Sequence, residues 1–308
     1  MDRTNRIHPS FSISQIDLIN DLPKKPLNAD FHDIAKDRID EIKSKNKSIY
    51  LFWSGGIDST YILAQLLQEK ISFTVIGVDS NRLSLLEKYK IPYEEVKFSD
   101  FQTKIKQLID DDCIVLTGHL GDQLFGSGLF KTNNWFDPIS SLKNYMMSTI
   151  NDEVKVDKMI EFIKPAINEC PFEIKTLHDY FWWINFSQKY NYVKFHTLTG
   201  IDYSKKQFYE NIYSFFDTFD FQLWSMNEKN HRELKIQNNI YKYPMIKFID
   251  DNNYSELLVD REKVVSFLMS VSQVTLFTNE NFEHHIIPVG KTDFVKIKND
   301  LTEQKIIS

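Results

Sequence analysis

The first part of the chain alternates between short apolar runs and amphipathic stretches. The apolar runs, rich in β-branched and aromatic residues, predict buried strands at 48–53, 72–79, 93–98 and 113–118. Apolar residues recur at helical spacing between them. Because strand and helix alternate, we predict an α/β fold with a doubly wound, mainly parallel sheet and right-handed crossovers. We expect the third strand to be short and to lie at an edge.

The amphipathic stretches predict the helices around these strands. One helix at 30–45 leads into the first strand, and another begins near Thr60, just after it. Further helices are predicted at 82–89 and 101–110. Residues 1–30 are polar and contain prolines, so we expect an irregular segment or a short arm there.

Past Trp135 the alternation stops. Residues 140–240 carry Phe, Tyr, Lys and Asn at helical spacings, which predicts a mainly helical second half. We interpret Trp182 and Trp183 as helix-packing core rather than as a platform for stacking bases. The predicted organisation is an arm and helix at 1–46, an α/β core at 47–131, and a mainly helical region at 132–308 that completes the active site.

The segment between the first strand and its helix carries the first candidate chemistry. Glycines there allow a sharp turn and close backbone approach, and the helix start presents unpaired N–H groups and a positive dipole end. Such a turn suits phosphate or pyrophosphate, with hydroxyl donors added by three side chains. The candidate ATP-binding residues in it are Ser54, Gly55, Gly56, Asp58, Ser59 and Thr60. The alternative is an ordinary Gly-Gly turn.

Asp58 does not belong in a bare phosphate cradle, and its presence predicts an accompanying Mg²⁺. We expect it on a solvent-facing loop. The segment matches neither the Walker pattern, whose lysine is missing, nor Gly-x-Gly-x-x-Gly. A second glycine-rich segment, 117–128, follows the fourth predicted strand. We expect its Asp122 to face Asp58 across the crevice beyond the strand ends, so that two carboxylates flank a polyphosphate and bind Mg²⁺.

These segments carry a family resemblance. Residues 54–59 resemble the SGGxDS loop of the N-type ATP pyrophosphatases, also called PP-loop enzymes, and 117–128 resembles a TGxGxDExFGG segment. Farther on, 243–250 resembles an R-x-P-F-L-D stretch, and 287–294 resembles a late segment with a lysine before a glycine and phenylalanine. In this order, over roughly 47–300, they resemble the synthetase domain of the asparagine synthetase family, which includes β-lactam synthetase.

The resemblance implies roles for individual residues. The loop at 54–59 would hold pyrophosphate and Mg²⁺, and the backbone near Trp53, Val78 and Gly118 would hold adenosine. Asp122 would bind Mg²⁺. Lys291 would meet the α-phosphate and the charge that develops during adenylation and amide formation; the alternative is a solvated surface lysine.

The chain also departs from the family pattern. His119 stands where the family has a glutamate, and Asp122-Gln123 stands where it has Asp-Glu. Lys242 or Tyr243 replaces the arginine of the R-x-P-F-L-D stretch. His119 could act as a general base near neutral pH, or it could be only a hydrogen-bonded loop residue.

The implied activity is that of an ATP-dependent amide-forming ligase. It would adenylate a small-molecule carboxylate with release of pyrophosphate, and ammonia or an amine would then displace AMP. Residues 1–46 leave no room for a glutaminase, so we expect nitrogen from free ammonia, a substrate amine or a separate glutaminase partner. The alternatives are a PP-loop enzyme that modifies a tRNA base or a deazapurine precursor, and a degenerate ATP-binding protein.

Composition and charge bear on the partners and the location of the protein. The net charge of −6 shows no basic footprint for nucleic acid, which counts against the tRNA alternative. The two cysteines, Cys113 and Cys170, lie beside apolar residues and are expected to be buried free thiols. No apolar run approaches the ~18 residues of a membrane span, and residues 1–15 do not resemble a signal peptide. We therefore expect a cytoplasmic protein with no membrane contact.

Overall fold

A computed structural model describes the chain in segments, and two compact units divide it. The described residues are 3, 27–77, 83–96, 100–126, 136–190, 193, 210–231, 242–258, 273–278 and 283–288. The first unit, here called the sheet unit, comprises Lys25–Gly121 and Gly200–Lys263. The second, here called the helical unit, comprises Met1–Lys24, Asp122–Thr199 and Val264–Ser308.

A parallel sheet organises the sheet unit and confirms the predicted α/β class. Its strands are β1 Ile49–Phe52, β2 Thr74–Ile76, β3 Tyr93–Glu94, β4 Ile114–Thr117 and β5 Ile212–Ser214. They lie in the order β3-β2-β1-β4-β5, and each neighbouring pair is parallel. As predicted, β3 is short and lies at an edge.

Helices account for most of the remaining described structure. In chain order they are α1 Phe31–Ser44, α2 Ile57–Gln68, α3 Leu83–Lys88, α4 Phe101–Asp110, α5 Gly121–Phe125, α6 Leu142–Ile150, α7 Glu153–Ile167, α8 Leu177–Ile184, α9 Phe219–Ser225 and α10 Tyr243–Asp251. Short 3-10 segments lie at Ile139–Ser141 and Ser255–Leu257, and a π-helical turn lies at Asn185–Lys189. No helix within the described ranges combines the length and the apolar content that crossing a membrane requires.

The sheet unit buries the apolar faces that the sequence pattern predicts. Helix α1 begins after Asp30, whose side chain accepts a hydrogen bond from the backbone N–H of His32, and it buries one apolar stripe. Phe31 from that stripe packs against Tyr61 of α2 and Trp224 of α9, with ring centroids 5.6 and 4.8 Å apart. Helix α2 is buried continuously over 59–66 because apolar residues dominate both of its faces.

The helical unit has an aromatic core of its own. Trp182 and Trp183 of α8 are both 0% exposed, and Trp182 stacks on Phe172 and Phe186. The indole N–H of Trp183 donates to the carbonyl of Ala166 at 2.6 Å. These contacts confirm that the tryptophan pair is helix-packing core.

The prediction of a mainly helical second half missed several strands. Strand β5 belongs to the parallel sheet, and Gln273–Thr278 pairs with Glu283–Pro288 as an antiparallel hairpin, β6 and β7. A strand as short as β5 carries too few positions to show an alternating pattern, and it is recognisable only through its pairing with β4.

The two cysteines differ in burial. Both are free thiols, as predicted. Cys113 is buried beside β4, whereas Cys170 is only half-buried, so the expectation of two buried thiols is wrong for Cys170.

Candidate functional site

The two glycine-rich segments follow adjacent strands at the centre of the sheet. Strand β1 pairs with β2 on one side and with β4 on the other. The chain leaves β1 toward β2 and β3, and β4 and β5 lie on the opposite side, so the strand order reverses between β1 and β4. In parallel sheets of this kind, ligands bind beyond the carboxyl ends of the strands at such a reversal point. The segments at 53–56 and 118–120 start at those two ends.

Two serines close the first loop on itself. The backbone N–H of Ser54 donates to Ser59 Oγ at 3.1 Å, and the two hydroxyl oxygens are also 3.1 Å apart. Gly55 has a φ of +72°, a left-handed conformation that glycine adopts without strain. Gly56 is the N-cap of α2 and contributes no side-chain cap, so the first-turn amides receive no acceptor from the cap residue.

Trp53 and Thr60 lie below this loop in the core. Trp53 is 1% exposed, and its indole N–H donates to Thr60 Oγ1 at 3.0 Å. The Thr60 hydroxyl in turn donates to the carbonyl of Leu257 at 3.4 Å. Both side chains of these predicted ATP-binding residues are therefore engaged within the fold, and a nucleotide would meet the backbone of Trp53 rather than its indole.

The second glycine-rich segment packs directly on Asp58. A Cβ added at Gly118 would lie 3.0 Å from the Cβ of Asp58 and 3.0 Å from the backbone nitrogen of Ser59. A Cβ at Gly121 would lie 2.1 Å from Asp58 Oδ1, closer than real Cβ atoms approach. A side chain at Gly121 would force the Asp58 carboxylate to shift, and one at Gly118 would crowd it. The structure thus brings together two predicted site segments that are far apart in sequence.

Backbone strain and an unsatisfied hydroxyl mark the same segment. Leu120 has a φ of +74° and is 1% exposed, although a bulky residue rarely adopts the left-handed region. Thr117, at the end of β4, is buried, and its hydroxyl oxygen has no hydrogen-bond partner among the described residues. Each such feature costs on the order of 1–3 kcal/mol. Their coincidence beside the first loop is typical of a functional site.

Asp58 forms an ion pair with Lys242. The Lys242 ammonium contacts both carboxylate oxygens, Oδ1 and Oδ2. The Lys242 side chain is 0% exposed and that of Asp58 is 18% exposed. Asp58 lies in the first turn of α2, so its expected position on a solvent-facing loop is wrong: the helix begins at Ile57, before the predicted start near Thr60.

The backbone holds Lys242 in place for this contact. Lys242 precedes α10 in a left-handed conformation, with φ +56° and ψ +36°. Its carbonyl accepts from the backbone N–H groups of Met245 at 2.9 Å and Ile246 at 3.1 Å. Pro244 supports the first turn, since the missing N–H of proline is not needed there.

Lys242 is a site residue that the sequence pattern does not single out. The pattern offers it only as one of two residues at the position of the family arginine. The available signal was a cation just before a Pro-containing helix start, and only the fold shows that this cation reaches Asp58.

The structure shows the positions of some of the remaining predicted site residues. His119 lies half-buried in the turn after β4, beside Gly118. Asp122 lies in the first turn of α5 and belongs to the helical unit, as does the buried Gln123. Val78 and Lys291 lie outside the described residues.

The predicted Mg²⁺ requires a set of oxygen donors. Mg²⁺ takes oxygen ligands in octahedral geometry, usually one or two carboxylates together with phosphate oxygens and water. Within the described ranges, no group of three or more His, Cys, Asp or Glu side chains could hold a metal ion. Asp58 offers a carboxylate, but the Lys242 ammonium contacts both of its oxygens. In this arrangement Asp58 fits a metal ion only if the ammonium moves away.

Comparison with known proteins adds no family assignment, because neither the family models nor the curated proteins gave a match to this chain.

Proposed function

We propose that the protein is an ATP-dependent, AMP-forming ligase whose nucleotide site lies at the carboxyl ends of β1 and β4. The observation that carries the proposal is the contact of Gly118 and Gly121 with Asp58. Two segments that resemble nucleotide-binding motifs of one family thereby meet at the reversal point of a parallel sheet, where such folds bind ligands.

In this proposal the start of α2 receives the phosphates of ATP. Its backbone N–H groups and dipole favour an anion, and the hydroxyls of Ser54 and Ser59 lie at the same turn. Gly55 and Gly56 let the phosphates approach the backbone closely. Adenosine would lie along the backbone near Trp53 and Gly118. Mg²⁺ would arrive with the phosphates, and Asp122 stays a predicted ligand of it from the sequence pattern.

The chemistry follows from the resemblance and from these positions. A carboxylate oxygen of a small-molecule acid attacks the α-phosphorus, pyrophosphate leaves, and an acyl-adenylate forms. The nitrogen of ammonia or of an amine then attacks the acyl carbon, loses a proton to a base, and AMP leaves. We assign His119 to proton transfer and Lys291 to the charge at the α-phosphate and the acyl carbon.

The test is exchange of labelled pyrophosphate into ATP in the presence of candidate carboxylic acids. Exchange that depends on one class of acid, with AMP and pyrophosphate as the products of turnover, is the expected result. Formation of ADP and phosphate as the main products would contradict the proposal. Screening acids and amines for AMP release would then identify the substrate class.

A second candidate, ATP binding without ligase chemistry, is favoured by two observations. The carboxylate expected to hold a metal is paired with a lysine, and Gln123 replaces a family glutamate. Saturable ATP binding with no exchange for any acid and no AMP would support it. Capture of tRNA by the protein, with base modification, would instead support the tRNA-directed alternative.

A further inference from the structure

The Asp58–Lys242 pair is expensive to bury. Lys242 has no exposed side-chain surface and Asp58 has little. Removing a charged group from water costs several kcal/mol even after relaxation, and apolar residues of similar volume often serve stability as well or better. Lys242 also adopts the left-handed backbone conformation, which lysine rarely takes. Stability alone therefore does not account for the pair.

An unpaired carboxylate at the position of Asp58 would repel a bound phosphate. It lies in the first turn of α2, where the helix N-terminus would hold an anion. Two like charges about 4 Å apart repel by about 4 kcal/mol at an effective dielectric constant of 20, which is a factor of about 10³ in affinity. Something must cancel the charge of Asp58 before phosphates can approach it.

A metal ion bridging the carboxylate and the phosphates would be one solution, and an ammonium already in place is another. Lys242 contacts both oxygens of Asp58, so it occupies the positions that a bridging ion would need. Lysine presents a compact point charge, and its side chain has no exposed surface where it meets Asp58.

We propose that Lys242 is the built-in counter-ion of Asp58, and that it lets the loop at 54–59 bind the phosphates of a nucleotide without a metal ion bridging them to Asp58. This inference rests on the proposed function, in that it takes the loop to be the nucleotide site. It names Lys242 as a residue that positions Asp58 and sets the metal requirement of nucleotide binding.

The test is calorimetric titration of the full chain with ATP, once with excess EDTA and once with Mg²⁺. The wild-type protein should bind ATP in both conditions, with dissociation constants within about tenfold of each other. Lys242→Met should weaken binding in EDTA by about 10²–10³-fold, because the charge of Asp58 is then uncancelled. In Mg²⁺ this variant should bind close to wild type, since the freed carboxylate can take the metal.

Two further variants serve as controls. Lys247→Met removes a different carboxylate-paired lysine, one within α10 that pairs with Asp251 at the surface, and it should change neither titration. Asp58→Asn with Lys242→Met removes both charges and should restore binding in EDTA to within about tenfold of wild type. The double variant leaves no unpaired charge at this site, so it remains informative if Lys242→Met fails to fold.

The outcomes separate the two claims. Wild-type binding in Mg²⁺ but none in EDTA overturns the counter-ion role and leaves the proposed function standing. Failure of the double variant to bind in EDTA also overturns the counter-ion role. No binding of ATP by the wild-type protein in either condition overturns the proposed nucleotide site itself.

Discussion

Helices α2 and α8 both carry an aspartate in their first turn, and the two aspartates do different work. Asp179 of α8 is 0% exposed, and its Oδ2 accepts from the backbone N–H groups of Lys175 and Thr176, each at 2.9 Å. The hydroxyl of Thr176 accepts from the N–H of Asp179 in return, which completes a capping box. This carboxylate caps the start of its own helix.

Asp58 of α2 is not explained in this way. Its carboxylate contacts the ammonium of Lys242, which is 184 positions away in sequence. The N-cap of its helix is a glycine without a side chain. An aspartate in a first helical turn that holds a buried lysine from a distant segment indicates a role beyond local stability.

Two residues with a left-handed backbone conformation, one in each unit, offer a second comparison. Gly126 of the helical unit has a φ of +76°, and a Cβ there would lie 2.8 Å from Trp182 Cα, so packing on α8 requires a glycine. Leu120 of the sheet unit adopts nearly the same φ without being a glycine. Packing on α8 thus explains the glycine at 126, whereas Leu120 keeps backbone strain beside the candidate site.

The largest expected effect comes from breaking the Asp58–Lys242 pair. Asp58→Ala leaves a buried ammonium without its partner and should lower the free energy of unfolding by about 3–5 kcal/mol. Asp58→Asn should act in the same direction, because an amide does not neutralise the lysine. Denaturant unfolding of both variants measures this, and a loss below about 1 kcal/mol would mean that the pair is open to solvent.

The next effect concerns rate rather than stability. Lys291→Ala should lower the turnover number by about 10²–10³-fold, with only a modest change in ATP affinity, because a fixed cation acts most strongly where charge develops. His119→Ala should slow amide formation and spare adenylation. Single-turnover kinetics that follow the adenylate and the product separately test both residues. Wild-type rates for both steps would remove the residue concerned from the catalytic assignment.

Gly121→Ala should separate the contact between the two glycine-rich segments. The added methyl group would meet Asp58 Oδ1, and forcing atoms into such a site costs about 1–3 kcal/mol. Gly56→Ala is the matched control for stability, because its Cβ would lie 3.4 Å from Ser54 Oγ, an ordinary contact. Thermal unfolding compares the two, and equal melting temperatures would argue against the close approach of Gly121 to Asp58.

Asp179→Ala tests the aspartate that caps its own helix. Loss of the carboxylate leaves two backbone N–H groups without their acceptor and should destabilise the protein by about 1–3 kcal/mol. ATP affinity, measured below the unfolding transition, should stay at the wild-type value. A change in ATP affinity larger than that caused by Asp58→Asn would reverse the roles given to the two aspartates.

The smallest expected effect is on the pH dependence of stability and comes from His32, a partly buried residue of the sheet unit. Its Nδ1 lies 2.9 Å from the Tyr61 hydroxyl, and its ring stacks on Phe248. Desolvation by burial lowers the pKa of His32, although the nearby carboxylates of Asp30, Asp33 and Asp251 act to raise it. The unfolded chain therefore binds this proton more readily, and stability should fall as the pH drops below about 6.5.

His32→Phe measures this contribution. The ring keeps its stacking partner, and the Tyr61 hydroxyl still accepts from Gln65 Nε2 at 2.8 Å. The variant should show a flatter dependence of melting temperature on pH between about 5 and 7. An unchanged slope would assign the acid sensitivity to other groups.

Local sequence patterns predicted the part of the fold that depends on neighbours in the chain. Helix α4 has the bounds that were predicted for it, and β1, the glycine loop and α2 follow in the predicted order. The glycines at 118 and 121 were predicted to lie near a ligand, and the structure shows that Gly121 also accommodates the carboxylate of Asp58. These features follow from spacing and from residue types that allow few conformations.

Local sequence patterns do not predict contacts between residues that are far apart in the chain. Strand β5 is defined by its parallel pairing with β4, and the three residues Ile212–Ser214 show no pattern that predicts a strand. The ion pair of Lys242 depends on a left-handed turn before α10 that brings its side chain to α2. In sequence, a lysine before Tyr-Pro looks like any other cation near a helix start.

The central claim is that the nucleotide binds the loops after β1 and β4, and amide hydrogen exchange with and without ATP tests it most directly. We expect slower exchange over 54–60 and 117–121 when ATP is added, with no change at Thr176 and Asp179 of the capping box. Protection confined to α8 and its surroundings, or no protection at either loop under saturating ATP, would contradict it.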